Sequence, residues 1–264
     1  PQTSTATLAV TGRSGPTAGV TNTPAFTSSA VTIPGTSVTI GSFAAGSYTP
    51  SPFAATLSGS SLPGANGAVT VFCVDLLNEI SFSNTGFAVN VTRLGTTAAP
   101  TATRFTDGGA LTRYRKASVL ASRWGALPAG QVDDLQLAIW SVMYDFSATT
   151  FGTTNLIPTS VRTGAAGTNG GNVASLLAWV NGIAATDFAG WDFSRAYVLT
   201  DAGVAGIPTT DRQRYDDTSA PLTRQEFVTA ASVVPEPSTY AMMGAGLLGL
   251  GAAVRRRRQG AVAG

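Results

Sequence analysis

The sequence predicts a mixed β/α (α+β) protein. Its body is expected to be a β-rich sandwich or barrel carrying a small helical insertion, followed by a C-terminal hydrophobic helix. Three observations carry this expectation. Short alternating runs rich in Val, Thr and Ile, broken by Pro and Gly, fill both ends of the body, as half-buried strands do. The middle of the chain switches to a helical period. The last thirty or so residues hold an uninterrupted apolar run of 15 residues, Tyr240–Val254, closed by four arginines.

The elements follow in order. Residues 1–67 are rich in Thr, Ser, Gly, Ala and Pro, with "TATLAVTG" and "SAVTIPGTSVTIGSF" as β-like runs, and residues 1–40 are expected to form loosely ordered strands. In "GAVTVFCVDL" (67–76), Val69, Val71 and Cys73 project to one face, and Phe72, Val74 and Leu76 to the other. Apolar residues on both faces predict a buried central strand. "GFAVNVTRL" (86–94) reads as the next strand, entered through a turn at "SNTG" (83–86).

Three helices are predicted. "ALTRYRKASVLASRWGAL" (110–127) is one, stopped by Gly125 and Pro128. In "QVDDLQLAIWSVMYDF" (131–146), Leu135, Ala138, Ile139, Val142, Met143 and Phe146 share a face, while Asp133 and Asp134 suit its cap and first turn. "NVASLLAWVNGIAA" (172–185), capped by Asn172, is the third. "RAYVLT" and "RQEFVTAAS" then read as strands on either side of the polar loop "DRQRYDDTSAP".

The chain therefore divides into a body, 1–233, and a tail, 234–264. The tail has a Pro-stiffened hinge at 234–239, an apolar helix at 240–254 and an arginine cluster at 255–258. Fifteen residues fall short of the ~20 of a comfortable bilayer span, a deficit that snorkelling arginines and local thinning reduce. Arginines at its end predict a membrane helix with its basic end in the cytoplasm. Val234-Pro235-Glu236-Pro237-Ser238, the short apolar helix and Arg255, Arg256, Arg257 and Arg258 together resemble the PEP-CTERM sorting signal of Gram-negative, exopolysaccharide-producing bacteria. That resemblance implies export, transient inner-membrane anchoring, recognition by a membrane protease of the exosortase type, and delivery to the cell surface or exterior. The opening "PQTSTATLAV" is expected to lie near a processed N-terminus whose export signal has been removed.

Composition narrows the chemistry. The 264 residues include 30 glycines, are 44% hydrophobic and only 11% charged, and hold a single lysine, Lys116. The formal charge of +2 belongs to the tail, because without Arg255–Arg258 and Glu236 the chain has 12 basic and 13 acidic residues. No basic stripe for nucleic acid is expected. With no histidine, Ser–His–Asp and Cys–His catalysis are excluded. No metal site or cofactor is expected, and the protein is expected not to be an enzyme. Glu79 with Glu226 is a conceivable glycosidase pair, but both read as solvated acids. "GAAGTNGGN" (164–172) lacks the lysine of a phosphate loop and reads as flexible. Asp211, Asp216 and Asp217 lack the spacing of a calcium loop.

The single cysteine, Cys73, admits three readings: a small buried hydrophobe, half of an intermolecular disulfide, or a partner in some other covalent bond. Gln136, off the main apolar stripe of its helix and one turn before Trp140, supplies a candidate for the third. Phe72-Cys73-Val74-Asp75 and Leu135-Gln136-Leu137-Ala138-Ile139-Trp140 resemble the two motifs of the thioester domains of bacterial surface adhesins. The resemblance implies an internal thioester between Cys73 and Gln136, shielded by Phe72, Trp140 and Tyr144. It also implies adhesion or covalent attachment to an amine or hydroxyl of a surface or matrix protein or polysaccharide. The alternative is a non-covalent structural protein of an exopolysaccharide or biofilm matrix, in which Cys73 is simply buried.

Overall fold

The computed structural model describes residues 3–13, 31–32, 39–40, 52–75, 86–96, 100–127, 132–144, 169–183, 187–206 and 224–233. The whole tail, Glu79, the 211–221 loop and residues 83–85 of the expected turn lie outside the described residues, as do the side chains of Asp133 and Asp134.

Six strands close into an antiparallel barrel: β1 (Thr3–Arg13), β4 (Phe53–Ser58), β5 (Gly67–Cys73), β9 (Phe227–Thr229), β8 (Tyr197–Asp201) and β6 (Phe87–Arg93), in that spatial order, with β6 returning to β1. Between the two expected β architectures, sandwich and barrel, the chain adopts the barrel. Two small ribbons stand apart from it, β2 (Val31–Thr32) with β3 (Thr39–Ile40), and β7 (Trp191–Asp192) with β10 (Ser232–Val233). β1 closes the barrel. It pairs with β6 through Thr3–Leu8 and with β4 through Thr7–Arg13, and a register shift between Val10 and Gly12 bends it to do so. Thr3–Arg13, within the N-terminal stretch expected to form strands, is a continuous strand whose two ends are paired with different neighbours. Only Thr7 and Leu8 are paired on both sides; Thr3–Ala6 pair with β6 alone and Ala9–Arg13 with β4 alone.

Alternation decides what lies inside. Ala6, Leu8 and Val10 of β1 are buried, whereas Thr3, Thr5 and Thr7 are exposed. Following the register from strand to strand puts Phe53, Ala55, Leu57, Val71, Cys73, Val89, Val91, Leu199 and Phe227 on that same inner face. All are at most 4% exposed. Strand β4 was not foreseen from the sequence. In β5 only Val71, Phe72 and Cys73 are buried, so the strand is central at its C-terminal end and exposed at Gly67 and Ala68.

Three helices pack beside β5 and β9: α1 (Ala110–Ala121) lies against β9, α2 (Val132–Met143) against β5, and α3 (Asn169–Asn181) against both of those helices. Helix α1 stops earlier than expected, and Trp124–Ala126 forms a separate 3-10 turn. It is tied to β9 where Ser118 Oγ donates to Thr229 O (2.6 Å) and Ala231 N–H donates to Ser118 O (3.0 Å). Leu135, Ala138, Ile139, Val142 and Met143 of α2 are buried, as their spacing requires. Helix α3 starts at Asn169, so Asn172 lies within the helix and not at its cap, and the last residues of the glycine-rich stretch are helical. No helix among the described residues is long and apolar enough to cross a membrane.

Candidate functional site

Cys73 is the last residue of β5, projects inward among Val71, Phe227 and Leu199, and is 1% exposed. The thiol is pushed well up by burial and, secondarily, by the charge of Asp75. Helix α2 runs past the same end of the strand. From its first half, Gln136 is 1% exposed, and its Nε2 donates to the main-chain carbonyl of Cys73 at 2.8 Å. Two residues 63 positions apart thus meet in a site closed to water. Gln136 sits on a buried face, not off the apolar stripe as its helical position suggested.

The expected shield divides. Trp140 and Tyr144 follow Gln136 at intervals of four, so they lie along the same helical row, and both are buried. Phe72 alternates away from Cys73 and packs edge-to-face on Trp124, 6.4 Å between ring centroids. It closes the opposite side of β5 and does not line the sulfur's side. Tyr144 has a polar as well as an apolar role. Its ring meets Phe105 and its hydroxyl makes a long hydrogen bond to Asp75 Oδ1, 3.4 Å.

Behind the Cys–Gln pair lies a buried polar network that the sequence did not reveal. Asp75 Oδ2 stands 2.8 Å from Arg104 Nε, with both side chains 2% exposed. Arg104 also donates through Nη2 to Arg224 O (2.7 Å) and through its main-chain N–H to Glu226 Oε1 (2.9 Å). Glu226 accepts in addition from Tyr114 Oη at Oε2 (2.6 Å) and from the Thr200 hydroxyl. The strand ladder continues one rung past Cys73, Val74 N–H donating to Glu226 O (3.0 Å), and Gln225 Nε2 donates to Asp75 O (2.9 Å).

Glu226 was expected to be a solvated acid and is instead fully buried. Burial raises its carboxyl above the usual range, against the opposing hydrogen bonds of Thr200, Tyr114 and Arg104 N–H and the nearby Arg104 charge. Tyr114 is pushed up by burial and then by Glu226. A sequence clue to Glu226 exists only in retrospect: a charge set between Gln225 and the buried Phe227–Thr229 run. Arg104, in "TATRFTDGG", offered none. Among the described residues no cluster of three or more metal-ligating side chains occurs.

The comparisons bear on destination more than on the body. Residues 233–258 match the PEP-CTERM protein-sorting motif. The motif marks an exported protein sorted at a membrane toward the cell surface, and such motifs are processed by exosortase, a membrane protein. Among solved structures, the chain is similar to the N-terminal domain of the Streptococcus pyogenes pilus tip adhesin Cpa, with 14% identity and a TM-score of 0.39 over 86% of this chain and 100% of that one. No curated protein matches the chain.

Proposed function

We propose that this is a surface-sorted attachment protein that binds its target covalently through a thioester between Cys73 Sγ and Gln136 Cδ. The observation that carries the reading is the 2.8 Å hydrogen bond from the Gln136 carboxamide to the Cys73 main chain inside a site where both residues are 1% exposed. The hydrogen bond joins Gln136 to the Cys73 main chain. Alignment of Sγ with Cδ within this closed site is what the reading requires, since proximity and orientation of reacting atoms replace much of an activation barrier.

In the first step the Cys73 sulfur adds to Gln136 Cδ. The C–N bond breaks, the thiol proton leaves with the nitrogen, and ammonia departs, so no cofactor or external base is consumed. A raised thiol makes free thiolate scarce, and transfer of the proton to the leaving nitrogen removes the need for a standing thiolate. In the second step an amine or hydroxyl of a surface or matrix protein or polysaccharide attacks the same carbon. An amide or ester forms, the C–S bond breaks, and Cys73 returns as a thiol. Each molecule reacts once, so the protein is a stoichiometric linker and not an enzyme. Adhesion or anchoring within an extracellular matrix is the role this chemistry serves, after transient anchoring and release by an exosortase-type protease.

Intact mass measurement tests the reading. Folded protein is expected to weigh one ammonia less than its sequence, with Cys73 resistant to alkylation. Methylamine should add its full mass at Gln136 and expose one thiol in the same reaction. Cys73→Ala and Gln136→Ala should each abolish the deficit. Full sequence mass with an unreactive thiol would make Cys73 a core residue and the protein a non-covalent structural component.

A further inference from the structure

We infer that Arg104 is a positioning residue: with Asp75, Glu226 and Tyr144 it staples the C-terminal end of β5 to β9 and α2, fixing the approach of Cys73 Sγ to Gln136 Cδ. The inference rests on the thioester reading and names what makes it efficient.

The geometry is specific to the two residues that follow the nucleophile. Val74 is held through its N–H by Glu226 O, and Asp75 through its carbonyl by Gln225 Nε2. Arg104 spans this rung. Its Nε meets the Asp75 carboxylate on the β5 side, while its Nη2 and main-chain N–H reach Arg224 O and Glu226 Oε1 on the β9 side. The planar guanidinium holds the Nε and Nη2 contacts in one orientation, which a lysine amine cannot do. Glu226 is in turn anchored to α1 by Tyr114 and to β8 by Thr200.

Helix α2 meets the same strand end at two heights. Gln136 bonds the carbonyl of residue 73, and Tyr144, eight residues later, reaches the carboxylate of residue 75. A slide or tilt of α2 disturbs both contacts, so holding one constrains the other. Removing a carboxylate and a guanidinium from water is costly, and well-packed apolar residues of similar volume often serve stability equally well. A buried ion pair beside a reacting pair therefore has more use in specifying geometry than in stabilising the fold.

The test compares the first-order rate of ammonia loss after refolding, followed by intact mass, with the melting temperature of the same samples. The variants are Tyr144→Phe, Arg104→Lys and the paired swap Asp75→Leu with Arg104→Met. The paired variant is expected to melt near wild type yet lose ammonia about 10–100-fold more slowly, the scale of an ångström-sized misplacement. Tyr144→Phe and Arg104→Lys should fall between. Wild-type rates in folded paired variant overturn the inference, as does a paired variant that fails to fold while Tyr144→Phe and Arg104→Lys react at the wild-type rate. In both cases a wild-type ammonia deficit leaves the thioester reading standing. Wild-type protein of full sequence mass overturns the two together.

Discussion

Glu226 offers the sharpest energetic test of the buried network, because two substitutions of one residue should have opposite consequences. Truncation, Glu226→Ala, removes the acceptor for three buried donors: Tyr114 Oη at 2.6 Å, Arg104 N–H at 2.9 Å and the Thr200 hydroxyl. Each buried donor left unsatisfied costs about 1–3 kcal/mol, so the sum is about 3–9 kcal/mol. That range overlaps the whole stability of an ordinary domain, about 5–15 kcal/mol.

Glu226→Gln keeps the volume and one carbonyl acceptor, but turns an NH2 donor toward Tyr114 Oη, which already accepts from Phe105 N–H. Protonated Glu226 presents a similar donor, and its raised pKa means that burial outweighs this mismatch. The sign follows. A carboxyl whose folded pKa exceeds its unfolded one contributes stability below the unfolded carboxylate range, and this is lost as pH rises through the folded value. Glu226→Gln should lack that loss and lie within about 1 kcal/mol of wild type at neutral pH, or above it. Chemical denaturation across pH 4–8 is the assay. Near-wild-type stability for Glu226→Ala, or a Glu226→Gln variant with the same Glu226-dependent fall on raising pH, would refute the reasoning.

Two further outcomes are expected. Gly86 has φ +69°, and a Cβ there would lie 2.7 Å from Thr7 Cγ2 and 3.2 Å from Leu8 O. Gly86→Ala should therefore lower stability by about 2 kcal/mol or more, whereas Gly12→Ala, with open space around it, should change it by about 0.5 kcal/mol or less, both read from denaturation midpoints. Protein recovered from outside the cell should end near Pro235-Glu236-Pro237 and lack Arg255–Arg258, as terminal mass spectrometry would show; intact arginines on released protein would contradict sorting through the matched motif.

Local patterns were enough for much of the chain. The sorting motif is a contiguous signal and was legible outright. Period-2 runs gave β1, β5, β6 and β8, and the spacing of Leu135, Ala138, Ile139, Val142 and Met143 gave α2, because a face that must be buried has to repeat along its own element. Pairing Cys73 with Gln136 came from motif resemblance, and the fold brings these two residues to one hydrogen bond. What escaped the sequence depends on neighbours distant along the chain. Whether β-rich segments form a sandwich or a barrel turns on β1 finding both β4 and β6, and no single strand encodes that closure. Phe72 and Cys73 look equivalent in the sequence, yet only register and barrel closure decide which faces the interior and which faces Trp124. Arg104 and Glu226 carry charges that ordinarily mark a surface. They are buried because partners distant along the chain, several of them more than a hundred residues away, fold onto the end of β5 and supply the hydrogen bonds and opposite charge that an interior demands.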